Sequence, residues 1–165
     1  MRANILCGLC VAAALLGTGC RQGEGTMPRA EGDVPNRIGD LSRDLMSIAG
    51  GEVQARQDLA DDLRVFLDRK PDAVPLVNGL SQRTGEVLSG KRLTDQNSQK
   101  LAQQLWVAVA ARDLSEKQVE TLKNDYQATL VASGVPQERA QGVAGGIEAI
   151  QKAIGERHRR WYEVF

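Results

Sequence analysis

Apolar residues recur every three or four positions from Ile38 onward, and this spacing constrains the fold more than any other feature of the chain. Leu41, Leu45 and Ile48 continue the first apolar stripe, and similar stripes return in later segments. Such spacing places the apolar side chains on one face of an α-helix, and that face must be buried. No stretch alternates between apolar and polar residues for long enough to predict a strand. The sequence therefore predicts an all-α fold, a small bundle of about six helices over residues 37–165.

Residues that stop or start helices separate these segments. Gly50-Gly51, Ser89-Gly90 and residues 133–136 interrupt the apolar stripes. Ser115-Glu116-Lys117-Gln118 forms a full capping box, and Thr94 stands three residues before an amide side chain in a similar arrangement. The connections are short, which favours antiparallel packing of consecutive helices.

The last predicted helix, from about Pro136 to Tyr162, is the longest. It contains Gly142, Gly145 and Gly146. Because glycine has no side chain, this stretch predicts a close approach by another helix.

The first twenty residues follow a different pattern. Arg2 is their single positive charge, and residues 5–16 carry no charge at all. This apolar stretch is shorter than the roughly 20 residues that a membrane-spanning helix needs. It ends in Leu16-Gly17-Thr18-Gly19-Cys20. A charged start, a short apolar middle and small residues at the end are typical of a signal peptide, which does not belong to the fold.

The run that ends in Cys20 resembles the lipobox of bacterial lipoprotein signal peptides, with Leu16 one place further from the cysteine than is usual. The resemblance implies that the lipoprotein signal peptidase recognises Leu16, Gly17, Thr18 and Gly19 and removes residues 1–19. It also implies that Cys20 carries a diacylglycerol and an N-acyl chain such as palmitate. The alternatives are an ordinary secreted protein that is cut nearby and an uncleaved anchor.

Lipidation at Cys20 would make membrane lipid the first expected partner, because two or more acyl chains anchor a protein stably. Residues 20–36 are rich in glycine and proline and are predicted to be a flexible tether between the lipid and the helical domain. Arg21 follows the cysteine, where an aspartate would favour retention in the inner membrane of enterobacteria-like hosts. The expected location is therefore the bacterial envelope, with the outer membrane facing the periplasm favoured.

The charge balance argues against nucleic acid as a partner. The chain has 21 basic and 21 acidic residues, and removal of residues 1–19 takes away only Arg2. A nucleic-acid-binding domain would show a basic excess or stripe. Cys7 and Cys10 form a C-x-x-C pattern, but both lie in the segment that is predicted to be removed. No cofactor is expected.

His158 is the only histidine and falls on the apolar stripe of the last helix. A partly buried, hydrogen-bonded side chain is the favoured interpretation, since the sequence offers no second histidine for a two-metal motif. A hydrolase that uses His158 is the least favoured class of function.

Three aspartates on neighbouring turns of one predicted helix, Asp58, Asp61 and Asp62, are candidates for a calcium or magnesium site. The same reasoning applies to Asp40 and Asp44. A rigid helix face rarely places six oxygens around one ion, so a solvated face is the favoured interpretation and no metal is expected.

Aromatic residues concentrate at the C-terminus, where Arg160, Trp161, Tyr162 and Phe165 form a possible partner-binding cluster. Trp, Tyr and Arg are the residue types that dominate binding hot spots. Closure of the core by Trp161 and Phe165 is the competing interpretation, and the favoured one.

These observations predict a non-enzymatic, lipid-anchored envelope protein, a protein-binding or structural helical module whose partners are envelope proteins. The alternative rests on Leu114-Ser115-Glu116-Lys117-Gln118, which is similar to the L-T-x-x-Q motif of the Spy/CpxP family of helical periplasmic proteins. Leu93-Thr94-Asp95-Gln96-Asn97 departs from that motif at its last place. The resemblance implies a chaperone-like or stress-response role.

Overall fold

The apolar stripes of the sequence become the buried faces of six α-helices. The computed structural model describes the backbone of residues 34–67 and 70–162, and the side chains as far as Gly155. Within these ranges there is no strand, so the predicted all-α bundle is confirmed. The helices are, in chain order, α1 (Val34–Ala49), α2 (Ala55–Arg64), α3 (Val74–Leu88), α4 (Asp95–Ala110), α5 (Glu116–Ala132) and α6 (Gln137–Tyr162).

The helix starts follow the local chemistry of the sequence. The Ser115 backbone N–H donates to Gln118 Oε1 at 2.9 Å, and the Gln118 N–H donates to Ser115 Oγ at 3.4 Å, which completes the predicted capping box. Thr94 Oγ1 accepts from the Asn97 N–H at 3.2 Å at the start of α4. Both segments that resemble the L-T-x-x-Q motif therefore contain helix caps.

The helical domain begins earlier than predicted. The sequence placed the end of the tether at residue 36, whereas α1 starts at Val34. Pro35 occupies its first turn, where a missing backbone N–H costs nothing because those donors have no partner within the helix. The proline that suggested a tether is thus compatible with a helix start.

The six helices form a closed ring of neighbours. Helix α1 packs on α2, α2 packs on α3, α3 packs on α6, and the ring returns through α5 and α4 to α1. One apolar core fills the interior, and its fully buried large side chains include Leu41, Leu45, Ile48, Leu59, Leu63, Leu80, Leu88, Leu101, Leu105, Tyr126, Leu130 and Ile147. In the described part of the chain, no helix combines the length and the apolar character that crossing a membrane requires.

Two glycines allow close packing between helices. A Cβ atom on Gly85 of α3 would lie 2.7 Å from Cγ of Arg56, which extends from α2. A Cβ atom on Gly146 of α6 would lie 3.0 Å from Cδ1 of Leu80. The predicted close approach along α6 is correct for Gly146 and wrong for Gly142 and Gly145, around which the described chain leaves open space. Both glycines are exposed, on a face of α6 that points away from the other helices.

Candidate functional site

A groove of about 530 Å³ lies between α5 and α6. It is at the end of this helix pair that is remote from the connection at residues 133–136. Leu114 and Val119 give the groove an apolar part, and both side chains are partly buried. Gly155 leaves one wall without a side chain. This is a concave surface that combines apolar and polar groups, as binding sites commonly do.

Gln151 fixes one wall of the groove. Its side chain is only 7% exposed, and Nε2 donates to the carbonyl oxygen of Ala108 at 2.6 Å and to that of Ala111 at 3.2 Å. The last carbonyls of a helix have no partner within the helix, so this amide completes the C-terminal end of α4. The groove wall is therefore tied to a third helix.

Charged side chains line the rest of the groove. Lys123 Nζ lies 3.2 Å from Glu148 Oε2, which joins α5 to α6 across the groove. Glu116, Glu120 and Lys152 are exposed on its rim. The lining thus holds three carboxylates and two ammonium groups, a slight acidic excess. An exposed ion pair such as Lys123–Glu148 contributes little to stability, about 0–1 kcal/mol.

No family model, curated protein or solved structure matches this chain. In addition, no group of three or more His, Cys, Asp or Glu in the described residues is placed to hold a metal ion. The groove itself offers an apolar part and a charged rim in which carboxylates outnumber ammonium groups by one.

Three residues of the predicted partner-binding cluster lie on α6, beyond the part of the helix that lines the groove. The backbone of α6 continues to Tyr162, so Arg160, Trp161 and Tyr162 stand on the same helix that forms one wall. Their side chains, and that of His158, lie outside the described part of the structure, as does the whole of Phe165. Their roles remain predictions.

The predicted lipidation site also lies outside the described residues. Cys20 and the residues before it, Leu16, Gly17, Thr18 and Gly19, belong to the segment 1–33. The lipobox therefore stays an interpretation of the sequence.

No pattern in the sequence points directly to the groove. Lys123 and Glu148 are 25 positions apart, and only the packing of α5 on α6 brings them together. The one local hint was the segment from Leu114 to Gln118. Its polar pattern is accounted for by the helix cap, while Leu114 and Glu116 also line the groove.

The five aspartates behave differently from one another. Asp58 and Asp61 are exposed, as a solvated face predicts, and Asp61 also contacts Arg64. Asp40 pairs with Arg43 at 2.9 Å. Asp44 does not fit that prediction, because its Oδ2 atom is buried and has no hydrogen-bond partner among the described residues.

Burial explains the chemistry of Asp44. Desolvation, aided by the carboxylates of Asp62 and Asp58 and opposed by Arg43, raises the pKa of its carboxyl from 3.8 to about 7. The sequence carried a signal for this position: Asp44 lies three residues after Leu41 and four before Ile48, on the face of α1 that is buried.

Proposed function

We propose that this chain is a lipid-anchored protein of the bacterial envelope whose helical domain binds a protein partner through the groove between α5 and α6. The lipobox-like run ending in Cys20 supports the anchor. The groove itself is the observation that carries the binding role, because it is a concave surface with both apolar and charged groups. The outer membrane, with the domain facing the periplasm, is the location we propose.

The preferred partner is a segment with apolar and basic side chains. Leu114 and Val119 offer apolar contacts, and Glu116 and Glu120 offer carboxylates at the rim. Gln151 holds the adjacent wall in place through its bonds to α4. A wall that is already ordered lowers the entropy that must be lost on binding.

Site-specific photo-crosslinking in intact cells tests this proposal. A photoreactive residue at Glu120 is expected to capture one or a few envelope proteins. The matched control places the same group at Glu86, an exposed carboxylate on α3 that does not line the groove. Equal capture at both positions would argue against the groove as the binding surface.

The identity of the captured proteins separates the two candidate roles. A specific partner is expected to recur at Glu120 and to be lost when Val119 is replaced by Asp. Capture of many unrelated unfolded proteins would favour the chaperone-like alternative. A membrane protein among the recurring partners would further support the proposed location.

A further inference from the structure

Two helices that pack on each other both carry carboxylates. Asp44 and Asp40 lie on α1, and Asp58 and Asp62 lie on α2, which packs directly on α1. Asp44 stands at the most enclosed point of this group, where its Oδ2 is buried without a hydrogen-bond partner among the described residues. Burying a protonated, neutral carboxyl in that position costs far less free energy than burying a charged carboxylate.

The charges that act on Asp44 are mostly of its own sign. From α2 they are those of Asp62 and Asp58, and from α1 that of Asp40 together with the opposite charge of Arg43. Arg43 is already engaged with Asp40 at 2.9 Å. The helices α3 and α4 also pack on α1, but none of their charged groups in the described chain is among those that shift Asp44.

We propose that the contact between α1 and α2 is a proton-operated switch. In acid, a proton on Asp44 keeps the two helices together. Its loss at neutral to alkaline pH leaves a buried charge facing Asp62 and Asp58, and this loosens α1 from α2. Because α1 is the first helix after the predicted tether, the switch controls the part of the domain nearest to the proposed anchor.

The direction of the effect follows from proton linkage. The pKa of Asp44 is about 7 in the folded protein, against 3.8 for an unperturbed aspartate, so the folded state holds this proton more tightly than the unfolded state. The stabilisation is complete below the unfolded value and is lost as the pH rises through about 7. Burial and the charge of Asp40 raise the pKa of Asp62 as well, which acts in the same direction.

Urea unfolding of the full-length chain in detergent micelles, followed by circular dichroism at pH 5.5 and pH 8.5, measures the switch. From the lower to the higher pH, the ratio of unfolded to folded protein is expected to rise about thirtyfold on account of this group. Asp44→Asn mimics the protonated acid and is expected to remove most of that rise. The matched control is Asp61→Asn, which makes the same charge change on an exposed position of α2 and is expected to leave the rise in place.

A direct titration keeps the proposal testable if Asp44→Asn does not fold. The carboxyl carbon of Asp44, followed by NMR, is expected to titrate near neutral pH. Asp62→Asn is expected to move that midpoint to lower pH, because it removes the strongest like charge. A midpoint near 4 in the unmodified chain, or an unchanged pH dependence in a folded Asp44→Asn variant, would overturn the proposal.

Discussion

The hydroxyl oxygens of Thr84 and Tyr126 lie 2.6 Å apart in the interior of the protein, where both side chains are fully buried. This hydrogen bond connects α3 to α5, which are not direct neighbours in the ring of helices. Burial raises the pKa of the Tyr126 phenol well above its usual value, so the group stays neutral. The pair is thus a polar link across the core.

Removal of one partner of this link is expected to be costly. Tyr126→Phe leaves the Thr84 hydroxyl buried without its partner, which lowers the free energy of unfolding by about 1–3 kcal/mol. Urea unfolding of the variant measures the loss. The double variant Tyr126→Phe with Thr84→Val removes both polar groups and is expected to recover part of the stability. A double variant as unstable as the sum of the two single variants would contradict a coupled pair.

Gly85→Ala is expected to destabilise the contact between α2 and α3. The added Cβ would lie 2.7 Å from Cγ and 2.9 Å from Cδ of Arg56, so the side chain or the helix must move. We expect a loss of about 1–3 kcal/mol in thermal or urea unfolding. Gly142→Ala is the matched control, since it lies in open space and is expected to be neutral or to stabilise α6 by up to about 1 kcal/mol. Arg56→Ala in the Gly85→Ala background should restore stability, and its failure to do so would point to another cause.

Gln151→Leu is expected to destabilise the C-terminal end of α4. The Ala108 and Ala111 carbonyls lose their side-chain donor, and one of them is buried, so the free energy of unfolding should fall by about 1–3 kcal/mol. Hydrogen exchange at the last turn of α4 should also become faster than in the unmodified chain. Gln141→Leu, at an exposed position of the same helix, serves as the control. Equal exchange rates in the two variants would show that Gln151 does not hold α4.

Cys20→Ser is expected to abolish both lipid labelling and membrane fractionation, because the thiol is the predicted attachment point of the diacylglycerol. Metabolic labelling with palmitate followed by cell fractionation provides the measurement. Cys7→Ser and Cys10→Ser are the controls and should keep the label, since both residues lie in the predicted signal peptide. Retained labelling of the Cys20→Ser variant would refute the lipoprotein interpretation.

The architecture was accessible from the sequence because it depends on local spacing. The stripe through Leu41 and Leu45 required only one helix, and the capping box at Ser115 required only four consecutive residues. Patterns of this kind specify an element and the face that it buries, whatever packs against it. They do not specify which helices become neighbours.

The groove and the Asp44 environment were missed for a related reason. The groove depends on how α5 packs on α6, and the state of Asp44 depends on carboxylates that α2 brings close to α1. Gly85 shows the same limit: only the packing of α2 on α3 reveals that this glycine makes room for Arg56. Long-range packing decides each of these cases, and a stripe of apolar residues does not encode it.

The hydrogen bonds from Gln151 to the end of α4 limit how early the native fold can form during synthesis of the chain. Residues 95–110 are synthesised long before residue 151, so a growing chain contains the whole of α4 before it contains the side chain that closes it. The native arrangement can therefore form only when nearly the entire polypeptide has been made. Until residue 151 is made, the carbonyl groups of Ala108 and Ala111 lack the side-chain donor that they have in the folded protein.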